Sequence, residues 1–205
     1  MSHWLTERCG LLPAPEGLAL VQDLLNTRKI GPGGTDLLDN ATQARTWLPD
    51  VLESWASDTG RDSIESGWAT ELSEREMTGL RGLRTNVLRL VEGELPAADG
   101  SSTNIQVSKT ELRVMTTGEL RLEPAGVGWH QLEAAVWLQV FLGQQNGDWG
   151  RLKICRNPVC GSAFFDRSRN NSGVWHDVKV CGNAANLRAS RARKRLAAPA
   201  AGSVE

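Results

Sequence analysis

Four side chains that can bind a metal lie close together near the C-terminal end of the chain, and they restrict how this region can fold. They are Cys155, Cys160, His176 and Cys181. Zinc takes four sulfur or nitrogen ligands in tetrahedral geometry, and two close pairs separated by a hairpin-sized gap can supply them. Because all four positions are filled by protein, we predict one structural Zn²⁺ ion rather than a catalytic one. Two surface thiols beside an unrelated histidine, or a disulfide, are the alternatives, and the distant Cys9 is predicted to be a free thiol.

The residues between and after these ligands predict short, regular elements. A strand is expected at 163–166, a polar turn at 167–173, and a returning strand at Val174 and Trp175. Asp177 is suited to cap the last helix, which places Cys181 in its first turn. A knuckle, a hairpin and a ligand at a helix start together predict a treble-clef-like zinc finger.

The charge of the chain is distributed unevenly. Residues 151–205 contain 11 Lys and Arg and 3 Asp and Glu, whereas residues 1–150 contain 12 and 21. A net charge of −1 therefore conceals a basic C-terminal part and an acidic remainder. This polarity indicates a module that meets a polyanion, although a solvated basic tail would show the same composition.

The last helix is expected to run from Val178 to Arg195 and to carry its positive charge on one side. Its apolar residues, Ala185, Ala189, Ala192 and Leu196, fall on another side, and the small alanines are predicted to pack on the knuckle and hairpin. We expect the basic side to contact duplex DNA, because Lys and Arg neutralise phosphates and arginine can read guanine edges. A solubilising face that touches nothing is the alternative. The predicted DNA contacts are Arg188, Arg191, Lys194 and Arg195, with Arg167, Arg169 and Lys179 extending the surface.

The first part of the chain is predicted to be mostly helical. Ser73 and Glu76 form a capping-box pattern that opens a helix of about twenty residues, since apolar side chains follow at helical spacing. A β-hairpin is expected around Thr116-Thr117-Gly118, and a loop at 97–103. The remaining expected helices are 18–27, 40–47, 51–55 and an almost wholly apolar, buried helix at 129–142. The fold class is therefore α+β, with a helical N-terminal domain at 1–149, the finger at 150–196 and a frayed tail at 197–205.

The finger region resembles the CGNR zinc-finger family of bacterial proteins. The shared elements, in order, are the cysteine pair, Phe164-Phe165-Asp166, Ser168-Arg169-Asn170, Trp175 and Cys181-Gly182-Asn183. Two positions differ, because His176 stands where the family has its third cysteine and Ala184 where it has its final arginine. Histidine is a competent zinc ligand, so the resemblance still implies a bound metal.

The resemblance also implies a wider context. Leu24-Leu25-Asn26-Thr27 and the order helix, hairpin, helix are similar to the ABATE domain that usually precedes this finger. The family consists of stress-induced transcription regulators, which implies DNA binding in the cytoplasm, at the nucleoid. For the N-terminal domain we expect a small-molecule effector or formation of a homodimer, because a single finger has a small footprint on DNA.

Other functions are less compatible with the sequence. Besides His176, the histidines are His3 and His130, and no nucleophile, paired-carboxylate or phosphate-binding motif stands out, so we expect no enzyme activity. A protein-interaction module and an RNA-binding module remain open, and the latter would need exposed faces on Phe164, Phe165 or Trp175. No long apolar run or secretory signal is present, so we expect a cytoplasmic protein without membrane contact.

Overall fold

The computed structural model describes residues 4–94 and 109–197, with side chains described as far as residue 193. A short helix, α1 (Leu5–Arg8), precedes α2 (Leu18–Asn26), α3 (Ala41–Thr59) and α4 (Glu74–Glu92). The hairpin of β1 (Thr110–Val114) and β2 (Leu120–Pro124) then leads to α5 (Trp129–Gln145). The last described elements are β3 (Leu152–Ile154), β4 (Ala163–Phe165), a π-helical turn at Val178–Gly182 and α6 (Asn183–Ala197). Three short 3₁₀ turns lie at Leu37–Asp39, Gly67–Glu71 and Trp149–Arg151.

The helix α2 lies at the centre of the fold, and every one of its residues is buried. It packs against α3, α4, α5 and strand β4. Such complete burial requires an apolar sequence, and the polar residues that α2 does carry must find partners inside the protein. Asp23, for example, accepts hydrogen bonds from the Trp47 indole at 2.8 Å and from the Thr6 backbone at 2.7 Å. Burial raises the pKa of this carboxyl group above its ordinary value.

Most of the predicted elements of the N-terminal part are confirmed. The capping box is present, with the Glu76 carboxylate accepting from the Ser73 backbone N–H at 2.8 Å. The hairpin pairs antiparallel with Leu112 opposite Leu122. The helices expected at 18–27 and 129–142 are α2 and α5. The loop expected at 97–103 lies outside the described residues, as does the predicted tail beyond Ala197, which itself ends α6.

One prediction for this part is wrong. The two helices expected at 40–47 and 51–55 are a single helix, α3, which continues through Pro49. Trp47, Leu48, Val51 and Trp55 lie on one buried face of it. Their packing against the core outweighs the local cost of proline, whose ring removes one backbone hydrogen bond. No described helix is long and apolar enough to cross a membrane.

Candidate metal centre

A tight turn between β3 and β4 brings the first two cysteines together. The two strands pair antiparallel, with Ile154 opposite Ala163. Beyond this pair the Cys155 N–H donates to the Ser162 carbonyl at 2.8 Å, and the Cys160 N–H donates to the Asn157 carbonyl at 2.8 Å. Gly161 has a φ of +67°, a backbone conformation that glycine adopts without steric strain. The turn therefore holds both sulfur atoms on one side of the hairpin end.

This hairpin differs from the one predicted. We expected the strand at 163–166 to pair with a returning strand at Val174 and Trp175, but it pairs with β3, and the residues at 174–175 are not a strand. The closing turn is the cysteine turn itself, so the strands flank the first two ligands instead of following them. Val174 still lies beside the turn, because its carbonyl accepts from the Arg156 N–H at 3.0 Å.

The last two ligands lie on either side of a helix start. Asp177 caps it, as predicted, with its side chain accepting from the Val180 N–H at 2.9 Å. The first turn is π-helical, because the Gly182 N–H also reaches the Asp177 carbonyl. A side chain at Gly182 would meet the Trp175 ring at 3.1 Å, so glycine permits close packing here. The cap and the wide turn place Cys181 beside His176.

The four predicted ligands meet at one point. Their donor atoms all lie within 4.8 Å of one another. Tetrahedral zinc with Zn–S bonds of about 2.3 Å separates its ligand atoms by somewhat less than 4 Å, so one ion fits between them. The three cysteines are free and buried, which excludes the alternative of surface thiols. The prediction that Cys155, Cys160, His176 and Cys181 come together to bind one zinc ion is confirmed.

The surroundings of the ligands influence their protonation. Burial raises the pKa of the Cys181 thiol to about 11, although a hydrogen bond from Asn157 opposes this. Burial lowers the pKa of His176, which favours the neutral imidazole that a metal requires. A zinc ion would supply the positive charge that makes the Cys181 thiolate stable, so the centre and its metal depend on each other.

Polar side chains around the ligands were not found from the sequence. The Asn157 amide donates to the Cys181 sulfur at 3.1 Å, and its carbonyl oxygen accepts from the Arg188 guanidinium at 2.5 Å. The Ser162 hydroxyl lies 3.1 Å from the Cys160 sulfur and 3.3 Å from His176 Nδ1. The available signal for Asn157 was its place before Pro158 inside the cysteine turn, where an asparagine commonly bonds to nearby backbone.

The cysteine turn and its hairpin are attached to the central helix. Asn26 accepts from the Ala163 N–H at 2.8 Å and donates to the Ala163 carbonyl at 3.1 Å. Arg28 donates to the Gly161 carbonyl at 2.8 Å, and the Gly31 N–H donates to the Cys160 carbonyl at 3.2 Å. Leu152 and Ala163 belong to the same core as the helices. The boundary drawn at residue 150 is therefore crossed by both apolar packing and hydrogen bonds.

A second polar group fixes the segment between the hairpin and His176. Asp166 is buried and accepts from the Lys153 ammonium at 2.7 Å and from the backbone of Ser168 and Gly173. Burial alone would raise the pKa of Asp166, but these hydrogen bonds outweigh it and hold the pKa well below the ordinary value. The carboxylate thus organises the polar turn at 167–173.

The predicted DNA contacts lie in different surroundings. Arg169, Lys179 and Arg191 are exposed. Arg188 and Arg167 are also exposed but have partners in the protein. Arg188 donates to Asn157, and Arg167 donates to the Pro13 carbonyl at 2.6 Å and lies 5.6 Å from the Phe165 ring centre. Lys194 and Arg195 belong to α6, and their side chains lie outside the described ones.

The packing predicted for α6 is wrong. Ala189 and Ala192, which were expected against the knuckle and hairpin, are exposed, and Ala185 is half-buried. The side chain of Leu196 lies outside the described ones. The contacts of α6 are concentrated on the π-helical turn that precedes it, so its alanines meet solvent instead of the hairpin. Leu187 is also exposed.

Comparison with known families identifies the region that carries the metal centre. Residues 151–194 match the model of the CGNR zinc finger, which includes all four ligands and most of α6. The chain as a whole matches no curated protein in a sequence search.

Proposed function

We propose that this protein is a DNA-binding regulator in which a treble-clef-like zinc finger holds a basic helix against duplex DNA. The proposal rests on which charged side chains of residues 151–197 are bonded inside the protein and which are exposed. Their acidic side chains are Asp166 and Asp177, of which one is buried beside Lys153 and the other caps a helix. Several cations of the same segment are exposed, including Arg169, Lys179 and Arg191.

This arrangement produces a positive surface with little internal neutralisation. Such a surface attracts a polyanion by releasing the counterions condensed on it, and the field is strongest where no acidic group intervenes. The N-terminal body, residues 1–150, contains 21 Asp and Glu against 12 Lys and Arg, so it does not attract the same polyanion. We therefore assign phosphate contacts to Arg156, Arg169, Lys179, Arg191 and Arg193, all of which are exposed.

Duplex DNA is favoured over single-stranded RNA by the aromatic residues of the finger. Sequence-specific RNA recognition uses exposed aromatic faces on which bases stack. Phe164 is buried in the metal cluster, Arg167 lies over Phe165, and Trp175 packs against the ligands and Gly182. These rings are occupied by the protein itself, so they are poor stacking platforms.

The experiment is a salt titration of binding to a fluorescent duplex of random sequence, compared with single-stranded RNA of equal length. We expect the logarithm of the binding constant to fall linearly with the logarithm of salt concentration. A Lys179/Arg191/Arg193→Ala variant should flatten this slope by about 0.9 for each phosphate that the protein no longer neutralises.

The matched control removes the same charge from exposed arginines of the body, as Arg45/Arg75/Arg89→Ala. This control should leave the slope unchanged. The proposal fails if the wild-type protein does not bind duplex DNA, binds RNA more tightly, or shows an equally reduced slope in both variants.

We further propose that residues 1–149 act as an ABATE-like sensor that controls the finger, and that the chain has no catalytic role of its own. The supporting observation is a cavity of about 620 Å³ between the two parts. It is lined by Val91, Glu92 and Trp149 on one side and by Arg156 and Asn171 on the other. A small-molecule effector bound there would contact the body and the finger together. A thermal-shift screen of metabolites tests this, and no shift in wild type, or an equal shift after Glu92→Ala, contradicts it.

A further inference from the structure

The hairpin of β1 and β2 has its charged face toward the body and its apolar face toward solvent. Arg61 pairs with Glu123 at 2.7 Å and donates to the Leu122 carbonyl at 2.6 Å, and both charged side chains are largely buried. The opposite face carries Leu112, Val114 and Leu120, which are 62%, 68% and 60% exposed. Neighbouring apolar side chains with this exposure on a protein surface commonly mark an interaction site.

One edge of β1 is unpaired within the part of the chain that the structure describes. The Met115 N–H donates to the Glu119 carbonyl and the Ala125 N–H to the Lys109 carbonyl, so odd-numbered residues of β1 bond to β2. The N–H and C=O groups of Thr110, Leu112 and Val114 therefore point away from β2. Among the described residues, no hydrogen bond reaches these groups. An exposed edge of this kind is a template for another strand.

We propose that this edge binds a second copy of the same chain, with the two β1 strands antiparallel about a twofold axis at Leu112. In this register Leu112 faces its own copy, and Thr110 faces Val114 of the other chain. The outward backbone groups of both strands then bond to each other, and two hairpins become one four-stranded sheet. The apolar faces join on one side of it.

Charge favours a second copy over an unrelated partner. The same twofold axis places Glu111 of each chain opposite Arg113 of the other. Inside one hairpin, by contrast, Glu111 stands opposite Glu123 and Arg113 opposite Arg121. Like charges directly opposite one another destabilise a strand pair, and opposite charges stabilise it. The strand Thr110–Val114 is therefore complementary to itself, which is what an isologous interface requires.

The proposal goes beyond DNA binding and does not depend on it. The interface is short, so we expect it to belong to the weak class that buries less than about 1,200 Å². On DNA, a pair of chains would present two basic helices, and each would add to the affinity of the other.

The first experiment tests the register of the two β1 strands by disulfide trapping in a Cys9→Ser background. Paired residues at a hydrogen-bonded antiparallel position have Cα atoms about 5.5 Å apart, which a disulfide can bridge. Leu112→Cys should therefore form a covalent dimer with oxidised glutathione. Val114→Cys should not, because its own copy lies about four residues away along the strand, on the order of 13 Å. Val127→Cys, at an exposed position outside the hairpin, is the control.

The second experiment reverses the charges and measures association by sedimentation equilibrium up to millimolar protein. Glu111→Arg or Arg113→Glu alone should weaken dimerisation at least several-fold, and the double variant should restore it. Circular dichroism of each variant checks that the monomer remains folded. A wild-type protein that stays monomeric throughout, equal trapping at 112 and 114, or failure of the double variant to recover would overturn the proposal, whatever the result with DNA.

Discussion

The two halves of the zinc finger are held in place by different forces. The first half, residues 151–166, is attached to the helical body, where Asn26 bonds both polar groups of Ala163 and Leu152 enters the core. The second half, residues 176–197, projects from it, and the exposed Ala189 and Ala192 show how little of α6 is covered. We call these the anchored half and the projecting half.

The difference shows what the metal does in this protein. In a free-standing finger, zinc supplies the folding energy of the whole module. Here two ligands, Cys155 and Cys160, belong to the anchored half, and the other two, His176 and Cys181, belong to the projecting half. The ion therefore joins a fixed support to a helix of 15 residues, a length that is marginal in isolation.

Removal of the metal should have the largest effect, and it should act on the two halves differently. We expect chelation to release the projecting half while the anchored half keeps its structure. Amide exchange at Val180, Cys181 and Gly182, whose N–H groups bond to Asp177, should accelerate by at least about 100-fold, because structural zinc contributes roughly 10–16 kcal/mol in small fingers. The Ala163 amide should change little. Equal loss of protection at Ala163 would show that the whole finger folds as one metal-dependent unit.

Removal of the attachment to α2 should have the next largest effect. Asn26→Ala leaves the Ala163 N–H buried without a partner, whereas Gln22 still donates to the Ala163 carbonyl, and we expect a decrease of about 2 kcal/mol in the free energy of unfolding. Urea unfolding of the zinc-loaded protein measures it. Asn86→Ala, at an exposed position on α4, is the matched control and should change stability by less than about 0.5 kcal/mol. A similar, small effect of both variants would mean that the anchored half is held by the metal instead.

The sequence predicts the metal ligands better than it predicts the attachment of the finger to the helical body. Ligand chemistry depends on residue type and spacing, so the four ligands and the Asp177 cap can be found without a structure. The attachment depends on which surfaces meet, and Asn26 and Ala163 are far apart in the chain. The local sign of it was the presence of polar residues, Gln22, Asp23 and Asn26, inside the apolar run of α2.

The prediction for α6 failed for a related reason. Periodicity shows that alanines share a helix face, but it does not show what that face touches. The π-helical turn before α6 was not predicted either, because it depends on the Cys181 and Gly182 N–H groups both donating to the Asp177 carbonyl. The β3–β4 pairing was likewise missed, because the apolar residues before Cys155 are too few to form a strong strand pattern.

The link between the halves can be weakened without touching a ligand. Asn157 belongs to the anchored half and donates to the sulfur of Cys181 in the projecting half. Asn157→Ala should weaken zinc binding by about 10–100-fold, which is typical for a hydrogen bond that supports a metal ligand. Competition with a chromophoric chelator measures the affinity, and Asn170→Ala, an exposed asparagine in the polar turn, is the control. An unchanged affinity would show that Asn157 does not act on the thiolate.

The smallest expected effect is the difference between substitutions of two arginines on one face of α6. Both arginines are exposed, but Arg188 donates to Asn157 in the anchored half, and Arg191 lies one turn further along. Arg191→Ala should reduce the salt dependence of DNA binding by about 0.9 in slope, because the protein then neutralises one phosphate fewer. Arg188→Ala should leave that slope unchanged and weaken zinc binding only a few-fold, since Asn157 still reaches Cys181. If Arg188→Ala reduced the slope as Arg191→Ala does, Arg188 would also neutralise a phosphate, and its hydrogen bond to Asn157 would not set it apart from Arg191.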